Sequence, residues 1–186
     1  MVSRFFLNAE WSFEAFKPAI LFFMNQSMCH PIEIERKFLL SSDAWREQAA
    51  GTGRRISQGY LSADGGRSVR VRIDGTKATL TVKGPRVGIS RPELQYLIPL
   101  AEGQTILGLC YRPLIEKTRY NVFYEGMKWE IDEFHAENEG LVVAEVELDN
   151  VNQVIALPDW VGKEVSDDQR YYNSCLARAP FSTWDA

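Results

Sequence analysis

The sequence is short of the residues that most often mark a metal or redox centre: among its 186 residues are two histidines and three cysteines. His30 and His135 are too few for a histidine-built site, and no H-E-x-x-H segment is present to seat zinc on a helix. Cys29, Cys110 and Cys175 are far apart, odd in number and without C-x-x-C spacing, which argues against a disulfide framework or a structural zinc site. A reducing cytoplasm is the expected compartment. Long apolar runs are also missing. The longest near the N-terminus, from Ala19 to Met24, falls far below the roughly 18 residues of a membrane span. Neither a charged leader nor a small-residue cleavage site accompanies it, so secretion is not expected. The formal net charge of −4 gives no global attraction to nucleic acid or to an anionic membrane, and any anion site must be a local concentration of cations. No G-x-x-x-x-G-K-[ST] phosphate loop supplies one.

What is present is the composition of a folded domain, with 45% apolar, 25% charged and 12% aromatic residues. The length suits one domain, expected over residues 31 to 186. Residues 1 to 30 read as an N-terminal extension, rich in Phe and Trp and irregular in pattern. Two readings of it stand side by side. Translation starts at Met24 or Met28, or Phe13, Phe16, Ile20 and Phe23 form one face of an amphipathic helix.

From Ile32 onward the dominant period is two, and the fold expected is α+β, mainly β. Candidate strands span 32–39, 54–61, 68–73, 78–83, 91–97, 115–123, 128–134 and 141–148. The spacers at 63–66, 74–77 and 125–126 carry the Gly, Asn and Asp chemistry of tight turns, which predicts antiparallel neighbours. Helices are expected from Ser42 or Asp43 to Ala50, over 102–109, over 151–157, and from a capping box of Ser166 and Gln169 through Arg178.

The polar faces of these strands are unusual, because they consist of full charges at i and i+2. Glu33, Glu35 and Lys37 share one face. Arg70 pairs with Arg72, Lys117 with Arg119, Glu130 with Asp132, and Glu145 with Glu147, while Lys83 and Glu93 alternate with apolar neighbours. A solvated sheet face accounts for charge in general, through cross-strand pairs of roughly 0.2–1 kcal/mol each. It does not account for sorting into all-acidic and all-basic strands, since like charges side by side repel. Closing about eight antiparallel strands into a barrel would gather these charges inside, with room for a small ligand. Buried ions need partners, so clustered carboxylates point to a hard cation and clustered Arg and Lys to a polyanion. Mg²⁺ or Mn²⁺ together with a phosphate chain satisfies both sets, and Arg supplies bidentate contacts to phosphate oxygens.

At Glu33-Ile-Glu-Arg-Lys37 the sequence resembles the E-x-E-x-K signature of the CYTH superfamily, the triphosphate tunnel metalloenzymes. Further segments follow in family order: Gln58-Gly-Tyr-Leu61, Arg70-Val-Arg72, Thr81-Val-Lys-Gly84, Glu116-Lys-Thr-Arg-Tyr120, Glu130-Ile-Asp132, Glu145-Val-Glu147 and Gly162-Lys-Glu-Val165. The resemblance covers about Ile32 to Ala177 and is closest to short bacterial tripolyphosphatase-type members. It implies a closed eight-stranded antiparallel β-barrel with a few flanking helices. By the same resemblance Lys37, Arg70, Arg72, Lys83, Lys117, Arg119 and Arg170 bind the substrate. Glu33, Glu35, Glu93, Glu130, Asp132, Glu145 and Glu147 hold Mg²⁺ or Mn²⁺ and water. Lys37, Lys117, Glu33 and Glu35 are the catalytic set, and a carboxylate among Glu33, Glu35, Glu145 and Glu147 orients the attacking water. One departure is Gln95, where bacterial relatives often carry a second carboxylate near Glu93. The activity expected is metal-dependent hydrolysis of inorganic tripolyphosphate or a related triphosphate. An adenylate cyclase of class IV type, a thiamine triphosphatase and a non-catalytic polyphosphate-binding module are the rivals. No nucleic-acid or membrane partner is expected, and a homodimer is left open.

Overall fold

The structure, a computed structural model, describes residues 32–49 and 51–184. Both readings of residues 1 to 30 fall outside these. The described chain forms nine strands: β1 (Ile32–Leu40), β2 (Arg54–Asp64), β3 (Arg67–Asp74), β4 (Lys77–Lys83), β5 (Ser90–Ile98), β6 (Ile115–Tyr124), β7 (Met127–Phe134), β8 (Val142–Glu147) and β9 (Val161–Glu164). Three α-helices accompany them, α1 (Trp45–Gln48), α2 (Leu100–Leu109) and α3 (Asn173–Leu176).

The strand order is β5-β4-β3-β2-β6-β7-β8-β1-β9, and a further pairing of β5 with β1 closes the first eight into a barrel. Every strand pair is antiparallel. The closing seam is short, pairing only Ile32, Glu33 and Ile34 with Pro92, Arg91 and Ser90. A proline is tolerated there because little of the ladder is asked of that edge. β9 takes over the same edge of β1 further along, opposite Phe38 and Leu40. Two hairpins turn through pairs of residues with positive φ, Gly65 and Gly66 after β2, and Glu125 and Gly126 after β6. Such two-residue loops match the right-handed twist of the strands they join.

Period two then sorts the side chains. The outward faces of β1, β6, β7 and β8 send Phe38, Val122, Trp129, Ile131, Ala144 and Val146 into one core, closed over by Trp45 of α1 and by Trp160. A second cluster, of Tyr60, Ile115, Phe134, Leu141, Val143 and Leu176, joins α3 to one end of the barrel. Close approach dictates two glycines. A Cβ at Gly103 of α2 would lie 2.4 Å from the Ala78 Cβ, and one at Gly59 of β2 would lie 2.5 Å from the Cys110 Cβ.

Three expectations need correction. Residues 151–157 are not helical, because Asn150 accepts from the Asn152 amide and Gln153 from the Asp149 amide, giving the backbone an alternative to helix. The capping box at Ser166 does not form: its hydroxyl accepts from the Lys37 amide and donates to Glu164. Asp168 caps a 3-10 turn at Gln169–Tyr171 instead, and extended backbone at Tyr172 separates that turn from α3. β9 was not expected at all. The helix expected over 42–50 is reduced to the single turn of α1, with no side-chain cap.

Candidate functional site

The inward faces of the barrel enclose a cavity of about 610 Å³. Eight cations line it: Lys37, Arg54, Arg70, Arg72, Lys83, Arg91, Arg119 and Lys128. Seven carboxylates accompany them: Glu33, Glu35, Asp74, Glu93, Glu130, Glu145 and Glu147. Tyr172, Asn173 and Ser174 reach it from the C-terminal segment.

Of the fourteen site residues expected from sequence, eleven line this cavity. Lys117 and Asp132 are not among the lining residues: on the same strand faces as Arg119 and Glu130, their side chains are fully buried within the barrel, 2.5 Å apart. Arg170 is not brought to the cavity. Its side chain is 65% exposed and paired with Asp168 at 2.6 Å. Sequence reasoning missed Arg54, Asp74, Arg91 and Lys128. The signal was available, since Asp74 follows Arg72 by two positions, and Arg91 and Lys128 precede Glu93 and Glu130 by two. Arg54 faces Arg119 across the β2–β6 ladder.

The cavity charges neutralise one another in an extended network. Glu33 accepts from Lys83 at 2.7 Å and from Arg91 at 2.6 Å. Arg86 holds Glu35 at 2.8 Å, and Lys83 reaches Glu93 at 2.9 Å. Arg119 joins Asp132 at 2.6 Å, Glu145 at 2.7 Å and Glu130 at once, while Lys37 binds the other oxygen of Glu145. Burial alone would pull the Lys37 ammonium down, but Glu145 and Glu35 outweigh it and hold its pKa above the ordinary value. The same two partners, Lys37 and Arg119, hold the Glu145 carboxyl well below the usual range against its burial. Glu93 is held at about 2, where hydrogen bonds and the Lys83 charge overcome burial. The fully buried Lys117 is lowered to about 7, because burial and Arg119 outweigh Asp132.

Two groups stand outside this neutralisation. Among the described residues Arg72 has no carboxylate at ion-pair distance and hydrogen-bonds only Gln58, at 3.2 Å. Burial, then Arg70 and Arg119, lower it to about 10. Beside it, the buried Nε of Arg70 has no hydrogen-bond acceptor. Glu147, exposed at the end of β8, is the counterpart: among the described residues no cation lies at ion-pair distance, and partial burial with Glu33 and Glu93 outweighs Lys128 and raises its pKa. An unsatisfied buried donor beside an unpaired guanidinium fits an anion, and an acid flanked by acids fits a cation. No three carboxylates among the described residues converge as a preformed metal cage.

Comparison with known proteins agrees with this geometry. Residues 31–173 match the CYTH domain. The chain is 50% identical over 153 residues to an inorganic triphosphatase of Acetivibrio thermocellus, covering 82% of this chain and 97% of that protein. It is 34% identical over 149 residues to an inorganic triphosphatase of Nitrosomonas europaea, covering 78% and 96%. A crystal structure of an inorganic triphosphatase superposes with a TM-score of 0.56 at 30% identity, over 78% of this chain and 93% of that one. A putative adenylyl cyclase from Hippeastrum, 16% identical with a TM-score of 0.51 over 63% of this chain and 80% of its own, shares the fold. With its charged barrel matched over most of its length, the chain belongs to the CYTH domain family.

Proposed function

We propose that this chain is a metal-dependent triphosphatase whose substrate is inorganic tripolyphosphate, with Mg²⁺ or Mn²⁺ as cofactor. The observation that carries the reading is the cavity lining itself: fifteen charged side chains against two isoleucines, Ile32 and Ile56, and two tyrosines, Tyr60 and Tyr172. That surface suits a chain of phosphates and offers little apolar area on which a nucleobase could stack, which favours the inorganic substrate over ATP.

In this reading Arg70, Arg72 and Arg119 hold phosphate oxygens through directional guanidinium contacts, and Lys37 and Lys83 add mobile charge. These cations neutralise the charge that spreads over the oxygens as the anhydride bond breaks. A divalent cation, held by Glu147 with Glu33, Glu35 and Glu130, would polarise the phosphate chain and its water. Glu145 is a poor proton acceptor, because Lys37 and Arg119 depress its pKa, so the water is oriented by one of Glu33, Glu35 and Glu147. Lys117 and Asp132, buried beside the lining, position Arg119 through Asp132. Arg170 has no part at the cavity.

A phosphate-release panel tests this, with tripolyphosphate, thiamine triphosphate, ATP and pyrophosphate, each with Mg²⁺ and with Mn²⁺, and cyclic AMP measured alongside. Fast release from tripolyphosphate alone is expected. Cyclic AMP from ATP, or turnover fastest with a nucleotide or with thiamine triphosphate, would overturn the assignment.

A further inference from the structure

The groups suited to a metal and those suited to phosphate are bound to each other. Lys83 is shared by Glu33 and Glu93, and Arg91 by Glu33 at 2.6 Å and Glu35 at 3.6 Å. Either ligand binding alone would have to break such pairs, and a buried carboxylate stripped of its cation costs several kcal/mol unless another cation replaces it. A phosphate chain and a divalent cation arriving together exchange every pair without leaving a bare charge. Arg72 and Glu147 need no such exchange, since neither has an opposite charge at ion-pair distance among the described residues.

Building on the triphosphatase reading, we propose that the lining cations of this cavity lock its carboxylates. Phosphate releases Glu33 and Glu93 to the metal by drawing off Lys83 and Arg91, while Arg86 keeps its hold on Glu35, and Arg72 and Glu147 are the points where the two ligands first engage. Metal and polyphosphate then bind cooperatively through the protein, beyond their attraction for each other in solution.

The lock makes a prediction that simple charge counting does not. Lys83→Gln, Arg91→Gln and Arg72→Gln each remove one positive charge from the same cavity, but only the first two free carboxylates. Calorimetric titration of Mn²⁺ into the full chain without phosphate should show about tenfold tighter binding for Lys83→Gln and Arg91→Gln. Arg72→Gln should stay within about threefold of the parent. Tripolyphosphate titrated with chelator present reverses the order: Arg72→Gln loses about tenfold or more, because its charged hydrogen bonds were bought at no pair's expense, and Lys83→Gln loses less. Thermal melts establish that each variant is folded, and Arg91→Gln stands in if Lys83→Gln is not.

Equal tightening of Mn²⁺ in all three variants, or none in the two lock variants, overturns the lock and leaves the triphosphatase reading intact. Failure of the parent protein to bind tripolyphosphate, with or without Mn²⁺, overturns that reading instead.

Discussion

Glu147, exposed at the end of β8, has no ion-pair partner among the described residues, and partial burial with Glu33 and Glu93 outweighs the more distant Lys128 and raises its pKa. A raised carboxyl pKa in the folded state means that folding favours the protonated form. Below the unfolded pKa the group contributes nothing, and above its folded pKa the ionised acid destabilises the fold. Glu147→Gln should therefore raise Tm slightly at neutral pH without added metal, by no more than about 1–2 °C, because solvent screens the charge of a partly exposed group. The gain should vanish near pH 4. In activity the same variant should need more Mn²⁺. Glu145→Gln should behave in the opposite way, since it strips Lys37 and Arg119 of their shared anion. Its Tm should fall, by the order of 3–5 kcal/mol of stability seen when one partner of a buried pair is removed. Melting curves at pH 4 and pH 7 with rates against Mn²⁺ separate the two acids, and matching behaviour would show that the unpaired state of Glu147 has no consequence.

Among elements, the strands were legible because each couples period-two alternation to turn chemistry, and the eight expected strands are the eight of the barrel. β9 was not, for Val161-Gly-Lys-Glu164 is four residues with one strong β-former, and what makes it a strand is the free edge of β1 beyond β5. The failed helix at 151–157 shows the converse, where apolar spacing was right and side-chain amides captured the backbone. Lining residues were legible to the extent that alternation was followed to the strand ends; Arg91 and Lys128 were lost at ends. Depth was not legible at all, because Lys117 and Arg119 share the inward face of β6 and alternation cannot say which of them is buried below the cavity. Asn173 of α3 accepts from Lys117 at 3.4 Å. Gly59 tests packing at this scale. Gly59→Ala in β2 should destabilise by about 1–3 kcal/mol, as overpacking does in a close-packed interior. Chemical denaturation checks this, and pairing it with Cys110→Gly should return part of the loss, since the Cys110 Cβ is the nearest obstacle. Unchanged stability in Gly59→Ala would mean that the segment after α2 yields freely.

At the scale of the whole molecule, the barrel holds its charges as a set, so its acid response should be collective. Glu93 at about 2, with Asp132 and Glu145 also depressed, contributes stability that is present above the unfolded carboxyl pKa and lost as pH falls through the folded values. Unfolding followed from pH 5 downward should be steep rather than gradual; a gentle loss would place these acids outside one network. The described strands close into a barrel through the pairing of β5 with β1. β1 begins at Ile32, and its first three residues make the seam with β5. Among the described residues the lining side chains fall between Ile32 and Ser174, and the family match covers 31–173. We propose that residues 1 to 27 are dispensable to the barrel and its site. A chain beginning at Met28 should express as a folded protein, with Tm within a few degrees of the full chain and kcat/KM for tripolyphosphate within about twofold, since distant, independent parts contribute additively. Circular dichroism melts and phosphate release on both chains decide this. If the shortened chain were insoluble or inactive, the first 27 residues would be part of what holds the barrel closed, and the domain would have to be drawn from Met1.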